Sequence, residues 1–286
     1  KREVLAEVDK SSPQHAIIST NTSTIPITEL ASATSRPDKF IGIHFFNPPQ
    51  IIKLVEIIPG EMTSEETLRI AEEFVRSLGK EVLICRKDLP AFIVNRVLLP
   101  ILDEAAWMVK RGEAEVAEVD SAIKYRVGLP MGPFELMDYI GLDVVYSAMR
   151  EVKKRDPRLI LLCPLIKEYY GRGWWGRTSG RGFYNYLGER AGRAEVPREL
   201  SEKVDPLAIL APSANVIARL VKLGAASLEE IDKATRLALG FPRGIMGFFR
   251  EVGYRRVVEE LERKMTYDQE YYRPDEHLEE IFKARG

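Results

Sequence analysis

Within the run GIHFFNPPQIIKLVEI, Gly42 to Ile57, an imidazole and a carboxylate flank a Pro-Pro turn: His44 and Glu56. The chain has only three histidines, so one inside an apolar strand asks for a partner. Side chains alternate along a strand, which puts Gly42, His44 and Phe46 on one face and Glu56 with Leu54 and Ile58 on one face of the next. If the two strands pair, the carboxylate meets the imidazole, fixes its tautomer and raises the basicity of the distal nitrogen. That arrangement suits a general base. It equally suits a structural His–Glu pair, and spacing alone leaves both open. Other polar residues favour the base: Asn21 and Ser23 in a loop at a strand's C-terminal end, Asn47 after the histidine strand, and Asn95 near the start of an apolar helix. Each alone would serve as a cap or turn residue. Together they form a constellation suited to a hydroxyl or carbonyl substrate.

The elements that must position these residues follow from pattern. Residues 1 to about 12 read as a helix end, Ala16 to Thr20 as a short buried strand, and PITELASA as a helical turn opened by proline. Phe40 to Phe46 and Lys53 to Ile58 are strands rich in Ile, Phe and Val. TSEETLRIAEEFVRSLGK carries a Thr/Ser cap, early glutamates and a stop at Gly79. EVLICR is a further strand. Strands alternating with helices indicate a parallel sheet. From Pro90 onward nearly everything reads helical, beginning with a long apolar helix ended by Gly112. The fold class expected is therefore α/β plus all-α, a parallel sheet followed by helical domains.

The helical portion repeats itself. At an offset of 112 positions, the segment from Gly112 falls without a gap on that from Gly224, with Glu118 on Glu230, Asp120 on Asp232, Gly128 on Gly240, Pro130 on Pro242 and Gly132 on Gly244. We expect a duplicated helical domain whose two copies pack face to face as a pseudo-dimer within one chain. The expected domains are 1–88, 89–190 and 191–286. One motif is a decoy: GRGWWG, Gly171 to Gly176, matches the dinucleotide-binding spacing but lacks the strand before and the helix after that make such a loop bind pyrophosphate. It reads as a loop.

Composition narrows the classes. A net charge of -1 over 286 residues offers no case for nucleic acid or a membrane surface, and no apolar run is long enough to span a bilayer. Two cysteines, Cys85 and Cys163, fit no disulfide or metal framework, so a cytoplasmic protein is expected. Three glutamines and five asparagines among so many charged residues lean towards a thermophile. The opening KREVLAEVDK resembles the middle of a helix, so an N-terminal part of a larger protein is expected to be absent.

NTSTIPITELA, GIHFFNPP, KLVEII, PAFIVNR, GLPMGPFELMDYIGLD and SGRGFYNY resemble, in order, the signatures of the 3-hydroxyacyl-CoA dehydrogenase family, in its long form with a doubled C-terminal domain. The resemblance implies NAD-dependent oxidation of an (S)-3-hydroxyacyl-CoA thioester, with residues 1–88 as the C-terminal half of a Rossmann-like, NAD-binding parallel-sheet domain. It implies His44 as general base, Glu56 as the acid that orients it, and Ser23 and Asn95 as residues that bond the reacting oxygens. It further implies Asn21, Ser23 and Lys1 as cofactor contacts and Asn47 as a support for the His/Glu pair. The family's Gly-rich phosphate loop lies upstream, so the chain is expected to be a fragment that binds NAD weakly and is inactive alone. Thr178 stands where the family often has lysine, which puts a lysine–cofactor contact in doubt. Fusion or association with an enoyl-CoA hydratase fits the long form. The rivals are a dehydrogenase of a small free hydroxy acid and a non-catalytic helical assembly module.

Overall fold

The computed structural model describes residues 1–187 and 194–283; the expected boundary between 190 and 191 lies outside them. The α/β layer comprises α1 (Arg2–Ser11), β1 (Ile18–Thr20), α2 (Ile27–Ala31), β2 (Phe40–Phe45), β3 (Leu54–Pro59), α3 (Glu65–Ser77) and β4 (Glu81–Ile84). The strands form one sheet in the order β1-β2-β3-β4. β1 runs parallel to β2 and β3 to β4, whereas β2 and β3 are antiparallel. The sheet is thus mixed, and the expectation of a wholly parallel one is corrected at this pair. The connection from Phe45 to Leu54 is too short to carry the crossover that a parallel pair needs. One sheet face, through Ile41, Ile43, Val55 and Ile57, packs on Ala71 and Val75 of α3. Phe40, Leu54 and Ile58 turn the other way, into the large core shared with the helices. Asp88 closes the layer, its carboxylate accepting the amides of Ile27 and Thr28 at 2.8 and 2.7 Å.

The helical part opens with α4 (Val94–Lys110), α5 (Val116–Ala122), a π-helical turn (Ile123–Val127), α6 (Pro133–Ile140), α7 (Leu142–Arg155) and α8 (Pro164–Gly171). It continues with α9 (Pro206–Lys222), α10 (Leu228–Ala234), a second π-helical turn (Thr235–Leu239), α11 (Ile245–Val252), α12 (Tyr254–Lys264), α13 (Gln269–Tyr272) and α14 (Leu278–Lys283). From α4 to α6 and from α9 to α11, every element recurs at the 112-residue offset, including a proline inside the long helix, Pro100 and Pro212. No helix among the described residues is long and apolar enough to cross a membrane.

The identities shared by the two repeats have mechanical causes. Glu118 and Glu230 accept the amides of Glu115 and Ser227 and so cap α5 and α10. Asp120 accepts the Phe134 and Glu135 amides at the start of α6, and Asp232 accepts that of Met246 in α11. Gly128 and Gly240 leave the π-helical turns at φ 87° and 83°, a region open to glycine. Their missing side chains also make room reciprocally: a Cβ on Gly128 would lie 3.1 Å from Pro242, and one on Gly240 would lie 2.7 Å from Pro130. The long helices α4 and α9 and these two Gly–Pro contacts join the repeats through equivalent surfaces. The second repeat is also tied to the sheet. Arg86, just after β4, grips Glu230 with two bonds of 2.7 and 2.6 Å, and its amide donates to the Ala225 carbonyl.

Candidate active site

In the antiparallel β2–β3 ladder, His44 stands directly opposite Glu56. Residues so placed share a face with their Cβ atoms about 5 Å apart, close enough for a side-chain bond. The His44 Nδ1 to Glu56 Oε2 distance is 2.7 Å, and both residues are buried. Facing an ionised carboxylate, Nδ1 carries the proton and donates it, which leaves the Nε2 lone pair as the acceptor. The other oxygen, Oε1, accepts the amides of Ile93 and Val94 at 3.1 and 2.9 Å, at the N-terminus of α4. Amides at a helix start have no intrahelical partner, and the carboxyl group satisfies both.

That helix start is built at a cost. Ala91 and Phe92 hold left-handed backbone at φ 64° and 53°, a conformation worth about 1–2 kcal/mol per non-glycine residue. Phe92 and Phe46 set their rings edge-on to the imidazole, with centroids at 5.7 and 4.7 Å. Cys85, buried after β4, lies against the same carboxylate. Burial first, and then the charge of Glu56, push its thiol well up, so it stays protonated. Neither the amides nor Cys85 belonged to the set expected from sequence.

The remaining residues gather around a cavity of about 640 Å³, within the range of small-molecule sites. Asn21, Ser23, His44, Asn47 and Asn95 all line it. Asn21 spends its side-chain oxygen on the Phe45 amide at 2.8 Å, tying the loop after β1 to the end of β2. Asn95 extends its amide nitrogen towards the Ser23 carbonyl at 3.5 Å. Ser23 is exposed at the margin. Lys1 does not line the cavity and stands exposed before α1. GRGWWG follows α8 as a turn, as expected, with Gly176 at φ 92° against the Asp138 backbone. The rest of the lining is mostly apolar. Leu98 and Leu102 come from α4, Leu136 and Ile140 from α6, and Leu237 and Leu239 from the second repeat.

The family model described as 3-hydroxyacyl-CoA dehydrogenase, NAD binding domain, matches residues 1–89. That described as 3-hydroxyacyl-CoA dehydrogenase, C-terminal domain, matches residues 92–186 and 208–286. The chain belongs to the 3-hydroxyacyl-CoA dehydrogenase family. It is 42% identical over 189 residues to the mitochondrial hydroxyacyl-coenzyme A dehydrogenase of Sus scrofa, covering 65% of this chain and 60% of that protein. It is 43% identical over 196 residues to the 3-hydroxybutyryl-CoA dehydrogenase of Bradyrhizobium diazoefficiens, covering 66% of this chain and 65% of that protein. The chain therefore spans less than two thirds of either dehydrogenase. The crystal structure of 3-hydroxybutyryl-CoA dehydrogenase from Escherichia coli K12 superposes with a TM-score of 0.82 at 24% identity, covering 99% of this chain and 78% of that one. That likeness concerns the fold alone, and it extends across both helical repeats.

Three expectations from the sequence find no support in these matches. The family's NAD-binding model matches residues 1–89, which counts against the expected absence of the cofactor motif, and the match lends no support to an N-terminally truncated chain. Nor does any of these matches support an inactive fragment. Relatives from a mitochondrion and a bacterium do not single out the cytoplasm.

Proposed function

We propose that this chain acts in NAD-dependent oxidation of (S)-3-hydroxyacyl-CoA thioesters to 3-oxoacyl-CoA, with His44 as general base. The observation that carries the reading is the buried His44–Glu56 pair, anchored on the α4 amides and facing a mostly apolar cavity. His44 Nε2 takes the 3-hydroxyl proton as the C3–O bond becomes a carbonyl. Glu56 accepts from Nδ1 and stabilises the imidazolium that forms. Ser23 and Asn95 bond the reacting oxygens, and Asn47 supports the His/Glu pair from the cavity rim.

NAD fits at the open ends of the parallel pair β1 and β2. Both strands run C-terminally into the cavity, where open α/β sheets take ligands. Asn21 and Ser23 would hold it, with Lys1 at its outer reach. A bound NAD would supply the acceptor for the hydride that leaves C3. The domains in this reading are residues 1–88 for the cofactor and 89–190 and 191–286 as duplicated helical domains, packed as a dimer would be. An enoyl-CoA hydratase, fused or associated, supplies the substrate chemistry, since hydration of a 2-enoyl thioester makes the 3-hydroxy thioester.

The test is loss of NADH absorbance with acetoacetyl-CoA. His44→Gln is expected to lower turnover about 10²–10⁴-fold. Near-normal turnover in that variant overturns the role of His44. Equal turnover on free acetoacetate overturns the CoA-thioester assignment in favour of a small hydroxy acid.

A further inference from the structure

The cavity has walls from both repeats, and the repeats differ in sequence where they meet it. Leu237, Ala238 and Leu239 form the second π-helical turn and line the cavity together with Phe241. Their counterparts in the first repeat, Tyr125, Arg126 and Val127, do other work. The Tyr125 hydroxyl donates to the Val196 carbonyl and Arg126 to that of Val204, both at 3.0 Å, which holds the connecting segment in place. The reverse holds at three of the first repeat's lining positions. Met131, Tyr139 and Val144 line the cavity, whereas their counterparts at the 112-residue offset are Arg243, Glu251 and Arg256. Arg243 pairs with Glu251, and Arg256 pairs with Asp205. At these positions one repeat lines the cavity and the other carries ion pairs.

Packing alone does not explain the apolar turn. Leu237, Ala238 and Leu239 all stay partly exposed, while Phe241 behind them is buried. The turn is held in position by Gly240 against Pro130 and by Arg86 on Glu230. A fixed apolar surface that protein atoms cover only in part, lining the same cavity as His44, is suited to a hydrocarbon tail.

We infer that the second repeat's π-helical turn, Leu237 to Leu239, is the far wall of an acyl-chain pocket and sets the longest fatty-acyl tail the chain accepts. The inference rests on the thioester reading above and deepens it. It assigns the length limit to the repeat that carries none of the polar reacting residues.

The measurement is the Kd of saturated acyl-CoA thioesters, butyryl-CoA through tetradecanoyl-CoA, for the whole chain by calorimetry. Saturated thioesters are not oxidised, so binding is read apart from turnover. Each methylene that enters the pocket is expected to tighten binding about fourfold, the equivalent of its transfer from water, until the tail meets the wall and affinity levels off. Ala238→Trp is expected to bring that plateau to a shorter chain, and Leu239→Ala to a longer one. Should Ala238→Trp fail to fold, Leu239→Ala and Leu237→Ala carry the test in the lengthening direction. A plateau unmoved by the folded variants, or affinity independent of chain length, overturns the inference. Acetoacetyl-CoA turnover measured in parallel separates the two readings. A shifted plateau with no turnover in the unsubstituted chain strikes the proposed function alone, and turnover with an unmoved plateau strikes the wall alone.

Discussion

Replacing Glu56 with glutamine should invert the proton on His44. The side chain is 0% exposed and has two sets of partners that differ in kind. On one side the Ile93 and Val94 amides present two donors. An NH2 group turned towards them would face only other donors, so Glu56→Gln has one orientation, its carbonyl to the amides and its NH2 to the imidazole. The NH2 then donates to Nδ1, and the imidazole proton moves to Nε2, the nitrogen meant to accept. Three charge-assisted bonds become neutral ones. At about 1 kcal/mol lost for each, the upper bound on destabilisation is about 3 kcal/mol, reduced because a neutral amide is less costly to bury than a carboxylate. The tautomer can be read from ¹⁵N shifts of labelled imidazole, and folding by urea denaturation. With Nε2 carrying the proton, general-base catalysis should fall about 10²–10⁴-fold on acetoacetyl-CoA. An Nε2 that remains unprotonated in Glu56→Gln, or turnover within about tenfold of the unsubstituted chain, would refute the reasoning.

Other outcomes follow from the same geometry. Gly224 lies at φ 64° with open space around it, whereas a Cβ on Gly240 meets Pro130. Gly224→Ala should therefore cost about 1 kcal/mol and Gly240→Ala clearly more, about 2–3; equal costs in chemical denaturation would mean the repeats do not meet tightly there. Ala91→Gly relieves left-handed backbone but removes a buried methyl group, so relief of about 1–2 kcal/mol is offset by the entropy cost of glycine and about 0.8 kcal/mol of lost burial, and the urea midpoint should stay nearly unchanged. Burial pushes Asp120 up to about 7 and Asp103 to about 6, against unfolded values of about 4. Between about pH 4 and 7 the folded chain thus holds more protons than the unfolded one, and its stability falls as pH rises through that window. Thermal melts from about pH 5 to 8 should show the decline, and Asp120→Asn should flatten its upper part.

Much of this was legible in the sequence, and the exceptions have physical causes. The His44–Glu56 contact followed from period-two strands on either side of a short turn, and the same short connection could have announced that the pair is antiparallel. Asn21 stood out by its place in the loop after a strand and by the family resemblance; the bond its oxygen accepts from the Phe45 amide is set by strand alignment, which the sequence does not display. The two amides that hold Glu56 left no trace, because they depend on left-handed backbone at Ala91 and Phe92, where no glycine marks the turn. The second-repeat wall lies far along the chain from His44. Its signal was present all the same, in the change from Tyr-Arg-Val at 125–127 to Leu-Ala-Leu at 237–239 against an otherwise matching register.

The reciprocal Gly–Pro contacts carry a further consequence, one of concentration. Where two separate chains complete a site between them, dilution takes the site apart. Here the two halves are tethered, so their meeting is an intramolecular event with an effective concentration that dilution does not lower. The far wall of the cavity should therefore stand as firmly in a nanomolar solution as in a millimolar one.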